Sequence, residues 1–188
     1  MREERLEVHP FEELRIEHYE GMKQINEHAY SKIEGYIPFS KKDEYIEMGK
    51  RQVWVQVIAA SGDMRRILFC GVISEMRLEV KNGTCKMELV LQSGTSLMDW
   101  RKRTRSFQEA GYTYDYLLDI CQKDYEDASR IVTEGKEKQI GNFLMQYKET
   151  DWEFIKRLAS MNHTIVIADC AVKGEKFYFG LPNRQKTI

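Results

Sequence analysis

Residues 146–158 read Gln146-Tyr147-Lys148-Glu149-Thr150-Asp151-Trp152-Glu153-Phe154-Ile155-Lys156-Arg157-Leu158. A threonine followed three residues later by a glutamate is the pattern in which cap hydroxyl and carboxylate each satisfy an orphan amide at a helix start. A helix therefore opens after Thr150, with Phe154, Ile155 and Leu158 as its apolar stripe. The dipole at that start favours negative charge, which accounts for Glu149 and Asp151. Arg157, a turn further on, reaches carbonyls or a carboxylate such as Glu149 or Asp151. Tyr147 anchors the preceding strand, which reads as Gln139 to Lys148. After the helix, His163 to Cys170 reads as a buried strand, Val172 to Gly174 as a turn, and Lys176 to Phe179 as its hairpin partner.

Toward the N-terminus, Tyr114, Leu117, Leu118, Cys121 and Tyr125 recur at helical spacing, with Thr113 placed to cap the start. Before Leu97 the pattern is that of strands. Leu14, Ile16 and His18 alternate with Arg15, Glu17 and Tyr19, and Val53, Val55 and Val57 alternate with Trp54, Gln56 and Ile58. Ile67 to Ile73 is a third apolar run, in which Gly71 marks a bulge or a close backbone approach. Lys81-Asn82-Gly83-Thr84 is a hairpin signal, because Asn-Gly tolerates the two positive φ values of a type I′ turn. Beyond it Cys85, Met87, Leu89 and Leu91 face one way, Lys86 and Glu88 the other. The expected fold is α+β and β-rich. Residues 1–98 form an antiparallel β-barrel, and residues 99–188 form a mixed α/β segment with two helices and a C-terminal hairpin.

The 188 residues are 42% hydrophobic and 11% aromatic, too apolar for a disordered chain. Lys and Arg number 29 against 30 Asp and Glu, so the chain is not a globally basic nucleic-acid binder. That balance conceals a gradient. Residues 1–50 hold 12 acids and 8 bases, whereas residues 51–105 hold 5 acids and 10 bases. The densest basic stretch, Trp100-Arg101-Lys102-Arg103-Thr104-Arg105, reads as a loop. It is either simply solvated or a surface for nucleic acid or acidic protein. Cys70, Cys85, Cys121 and Cys170 are far apart and read as small buried hydrophobes in a protein made in a reducing cytoplasm. No apolar run approaches a membrane span, and Met1 to Glu13 lacks the apolar core of a signal peptide.

A catalytic reading has little to hold. The Gly-x-Ser-x-Gly, P-loop, His-Glu-x-x-His and dinucleotide glycine patterns are missing from the sequence. Glu17-His18 and Glu27-His28 resemble metal-ligand pairs. However, His18 falls on the inward side of a strand and His28 in an irregular polar segment, so both read as packing or surface positions. The expectation is no enzyme, no metal and no cofactor. A barrel with an aromatic face and a basic rim, here Trp54, Trp100, Phe107 and Arg101 to Arg105, keeps single-stranded nucleic-acid binding as the alternative, and the weaker one.

Two segments together resemble one family. Gln146, Tyr147, Glu149, Thr150, Asp151, Phe154, Arg157 and Leu158 resemble the Gln-Tyr-x-Glu-Ser/Thr-Asp-x-x-Phe-x-x-Arg-Leu signature of the VgrG and phage late-control-D hub proteins. Arg105, Ser106, Phe107 and Gln108, following Asp99, resemble the Asp…Arg-Ser-Phe-Gln stretch that precedes a helix in the same family. The resemblance covers nearly the whole chain and corresponds to the family's N-terminal part. It implies a hub-like fold and a structural role in the baseplate of a phage tail, a prophage particle or a type VI-like contractile injection system. There the hub adapts a six-fold tail tube to a three-fold spike. It also implies a homotrimer, tube and spike proteins as partners, and cytoplasmic synthesis before assembly into the particle. The opposed charges of residues 1–50 and 51–105 would suit a head-to-tail subunit contact, with Arg101, Lys102, Arg103 and Arg105 as interface residues. Family members are usually longer, so the polar end Asn183-Arg184-Gln185-Lys186-Thr187-Ile188 reads as a cut within a longer product.

Overall fold

A computed structural model describes residues 5–182; the polar end from Asn183 lies outside them. Backbone contacts divide the chain into two units, Met1–Lys23, Ala29–Gly94 and Cys170–Lys173 in one, and Gln24–His28, Thr95–Asp169 and Gly174–Ile188 in the other.

The first unit is one curled antiparallel sheet, a half-barrel. Its strands are β1 (Arg5–His9), β2 (Arg15–Met22), β3 (Tyr30–Ile37), β4 (Trp54–Ser61), β5 (Met64–Lys81) and β6 (Thr84–Ser93), in the order β1-β4-β5-β6-β3-β2. Helix α1 (Lys42–Gly49) buries Tyr45, whose ring meets Phe11 edge-on at 4.9 Å. The period-two pattern sets the buried side: Val55, Val57, Met87, Leu89 and Leu91 are wholly inaccessible. The expected hairpin closes β5 onto β6, with Asn82 and Gly83 at φ 51° and 75° and Lys81 opposite Thr84. Gly71 is a close approach rather than a bulge, since a Cβ there would sit 2.1 Å from the Gln92 carbonyl oxygen. On the outer face Lys32 bridges Glu34 at 2.7 Å and Glu88 at 3.1 Å, and Lys86 reaches Glu34 at 2.9 Å. The hydrogen bonds from Lys32 and Lys86 hold the Glu34 carboxyl down to about 2.

One expectation in this unit is corrected. His18 is exposed, not inward, because the pairing of β2 with β3 shifts register between Ile16 and His18. The bulge adds a residue and reverses the alternation that Leu14 and Ile16 begin.

The second unit holds β7 (Lys102–Phe107), α2 (Tyr114–Gln122), β8 (Ser129–Val132), β9 (Leu144–Thr150), α3 (Asp151–Met161), β10 (Val166–Ala168) and β11 (Lys176–Phe179). Thr113 caps α2 by accepting from the Tyr116 amide, and Thr150 and Glu153 close the expected capping box on α3. Phe154, Ile155 and Leu158 are wholly buried. The hairpin is present but shorter: β10 meets β11 with Val166 opposite Phe179. A strand unforeseen in the sequence, β8, runs parallel to β11. The strand before α3 begins at Leu144 rather than Gln139. The basic stretch is no loop either, since β7 pairs antiparallel with β9 from Lys102–Thr150 to Phe107–Leu144. All four cysteines are buried and free, as their apolar surroundings implied.

Candidate functional site

The residues of the two signature segments meet in the second unit. Period two turns Arg103, Arg105 and Phe107 of β7 inward and leaves Lys102, Thr104 and Ser106 outside. Leu144 and Gln146 of β9 face the same side, and Phe107 stacks on Phe154 of α3 at 5.7 Å. One extra residue, Lys148, interrupts the β9 ladder at φ 51°, so Tyr147 pairs with Thr104 while Glu149 pairs with Arg103. Past this bulge the chain delivers Thr150 and Asp151 to the start of α3.

Asp151 is completely buried and sits at the centre of a polar cluster. Its Oδ1 accepts from Arg105 Nη1 at 2.6 Å and from Gln146 Nε2 at 3.1 Å, and its Oδ2 accepts from the Tyr125 hydroxyl at 2.9 Å. Arg103 Nε lies 3.6 Å from the same oxygen. Asp124 closes the cluster, with Arg103 Nη2 at 2.8 Å and Arg105 Nη2 at 3.8 Å. Two guanidiniums thus face two carboxylates, which is how buried charge is tolerated. Gln146 Nε2 also donates to the Glu149 and Thr150 carbonyls, holding the bulge against the helix start. Burial and then the Asp151 charge push the Tyr125 hydroxyl well above its ordinary value, so it stays protonated and donates.

A second chain of hydrogen bonds leaves the cap. The Thr150 hydroxyl accepts from the Glu153 amide and donates to Asp99. His28 Nε2 lies 2.8 Å from the other Asp99 oxygen, and its Nδ1 lies 2.8 Å from the Thr95 hydroxyl. A carboxylate only accepts, so Nε2 donates, and in the neutral ring Nδ1 accepts from Thr95. Trp152 stacks on the imidazole at 4.9 Å. On the far side of α3, Arg157 grips both oxygens of Glu149 at 2.8 and 2.7 Å, donates to the Met145 carbonyl at 2.6 Å and lies over the Phe154 ring.

The structure therefore gathers Arg105, Phe107, Gln146, Glu149, Thr150, Asp151, Phe154, Arg157 and Leu158 around the start of α3. It leaves Ser106, Gln108 and Tyr147 outside. Tyr147 is exposed, which corrects its reading as an anchor: alternation with the buried Leu144 and Gln146 puts it on the outward face of β9. Asp151 does more than answer the helix dipole, because it receives two side-chain donors and an arginine from beyond its own helix. Asp99, Asp124, Tyr125, His28 and Trp152 were not singled out as site residues, and only the Asp99 spacing before Arg105 offered a signal. Of the four cations read as an interface, Arg103 and Arg105 are engaged within the chain, whereas Arg101 and Lys102 are exposed. Among the described residues no group of three or more His, Cys, Asp and Glu is placed to hold a metal ion, and no helix is long and apolar enough to cross a membrane. This arrangement joins a strand pair to a helix, and most of its donors and acceptors are spent on one another; Arg103 Nε and the Trp152 indole N–H are buried without a hydrogen-bond partner among the described residues.

No protein family and no curated protein matches the chain at the level of sequence. Its fold, however, is shared by solved tail and secretion proteins. The E. coli c3393 protein is a component of the type VI secretion system with structural similarity to the T4 bacteriophage tail proteins gp27 and gp5. It superposes with a TM-score of 0.63 at 14% identity, over 93% of this chain and 48% of its own. The 43 kDa tail protein of prophage MuSo2 from Shewanella oneidensis gives 0.63 at 12% identity, over 94% and 53%. A Francisella PdpA–VgrG complex gives 0.56 at 12% identity, over 94% and 26%. The chain spans about half the length of the first two structures. The hub-like, β-rich fold implied by the signature segments is the fold present.

Proposed function

We propose that this chain is a structural component of a contractile-tail or type VI-like baseplate hub, where it helps adapt the tail tube to the spike. The observation that carries the reading is the agreement of two independent lines. The signature residues close a buried polar cluster around the start of α3, and the fold around them matches tail and VgrG structures over nearly the whole chain. The role is mechanical rather than catalytic. At the centre of the cluster Asp151 and Gln146 are fully buried and bonded to one another, and Asp151 to Arg105 and Tyr125. In the particle the chain works as a homotrimer made in the cytoplasm, in contact with tube and spike proteins. Arg101 and Lys102, exposed and with no carboxylate partner among the described residues, supply the cations for a head-to-tail contact with the acidic first segment of a neighbouring copy. Diverting Arg103 and Arg105 into ion pairs also removes half the basic rim that a nucleic-acid reading needs.

Sedimentation of the purified chain, alone and mixed with the tube and spike proteins of its particle, tests this reading. We expect a discrete oligomer or a stoichiometric complex that Arg101→Glu/Lys102→Glu weakens by roughly tenfold or more in Kd. A monomer that ignores both proteins and binds single-stranded DNA in a salt-sensitive way would overturn it.

A further inference from the structure

We infer that the outward face of the β7–β9 ribbon is a docking surface for an acidic, apolar polypeptide segment of another protein. The proposal goes beyond the hub reading: Phe143, Met145, Tyr147 and Lys148, on the side of the ribbon facing away from the Asp151 cluster, belong to it alone, and only Arg101 and Lys102 are shared with the subunit contact proposed above.

Phe143, Met145 and Tyr147 alternate along β9 and the residue before it, and they are 58%, 40% and 60% exposed. Leu144 and Gln146, between them, are buried, so the three apolar side chains occupy one face. Opposite them on β7 stand only Thr104 and Ser106, too small to cover the strip. Met161, 40% exposed at the end of α3, lies beside the Arg157 guanidinium that caps the Met145 carbonyl. A two-stranded ribbon with one covered face ordinarily keeps its open face polar. Three large apolar side chains in a row on it mark an interaction site.

The charges around the strip set the occupant. Lys148, the bulge residue, holds its ammonium 5.4 Å from the centre of the Tyr147 ring. Lys102 lies on the outward side of β7, two residues from Thr104, and Arg101 precedes it. Among the described residues no acidic side chain pairs with Arg101, Lys102 or Lys148. By contrast Arg103, Arg105 and Arg157, in the same ribbon and helix, all have carboxylate partners. An aromatic and methionine centre with an uncompensated cationic border complements an apolar segment that carries Asp or Glu. Arg157 already occupies the Met145 carbonyl on the free edge of β9. The segment therefore lies across the face rather than extending the sheet.

The test is fluorescence anisotropy of the full chain with a labelled peptide of about eight residues alternating Glu and Leu, and with its Lys-Leu counterpart, peptides long enough to span the strip. The Glu-Leu peptide is expected to bind at least roughly tenfold tighter than the Lys-Leu peptide and to weaken as salt rises. Phe143→Ser/Tyr147→Ser and Lys102→Glu/Lys148→Glu should each weaken it by at least about tenfold. Circular dichroism should leave both variants folded, since all four side chains are exposed. Equal affinity for both peptides, no binding, or variants that bind unchanged would overturn the inference. So would a self-association of the chain that Phe143→Ser/Tyr147→Ser abolishes, because the occupant would then be a second copy.

Discussion

Asp151 accepts from Arg105, Gln146 and Tyr125 without any contact with water. Removing its carboxylate leaves Arg103 and Arg105 with Asp124 alone between them and orphans the Tyr125 hydroxyl, in a pocket where uncompensated charge is costly. Asp151→Ala should therefore lower the unfolding free energy by about 3–5 kcal/mol, measured by urea titration at neutral pH. Arg157→Ala breaks a part-exposed pair and should cost only about 1 kcal/mol in the same assay. Equal losses would mean that the buried cluster is no more important than the surface pair. Asp99 gives a pH signature. Burial works against its charge, but the hydrogen bonds from His28 and Thr150 outweigh that and hold its carboxyl below the ordinary Asp value. The native state then binds fewer protons than the unfolded one, so stability rises with pH through this range. The contribution is complete above the ordinary Asp value and is lost as pH falls through the depressed one. In urea titrations between pH 2 and 6, Asp99→Asn should flatten the acid limb of stability; an unchanged limb would remove Asp99 from it. Of these pairings only that of Arg157 with Glu149, eight residues apart, was legible in the sequence. Arg105 and Asp151 lie far apart along the chain, and only the register of β7 on β9 brings them together. That register in turn depends on a bulge at Lys148, a residue type with no turn signature.

At the scale of elements, the local signals were the readable ones. The capping box at Thr150 and Glu153 and the Asn82-Gly83 turn each bond within a few residues, so short sequence patterns reveal them. Thr150 also donates to Asp99, so Thr150→Ala should cost about 2 kcal/mol, at the upper end for a cap, while Thr150→Ser retains most of it. Helix content and denaturant midpoint together check this. Gly71→Ala forces a methyl against the Gln92 carbonyl and should destabilise by about 1–3 kcal/mol. Gly111→Ala, where nothing lies within 4 Å, should be near neutral. The strands were misread where polar residues point inward. β7 looked like a solvated loop because Arg103 and Arg105 occupy buried-side positions that alternation reserves for apolar residues. β8 was invisible for another reason: its parallel partner β11 lies more than forty residues downstream, and four residues carry too little pattern alone.

At the scale of the whole chain, a near-neutral charge and a mixed β-then-α/β sequence resolve into two units, each with its own core. The half-barrel was legible from the alternation around β2, β4 and β6 and from the Asn82-Gly83 turn, whereas β1, β3 and the bulge that exposes His18 were not. The candidate site was half legible: the signature named most of its members but not Asp124, Tyr125 or His28, which nothing local connects to it. The central claim is that this chain is a structural part of a contractile hub, and electron microscopy of particles from cells with and without its gene tests that most directly. The account predicts tubes and sheaths without a completed baseplate when the gene is deleted, and normal particles when the wild-type chain is restored. Intact, spike-bearing particles in the deletion strain would contradict it.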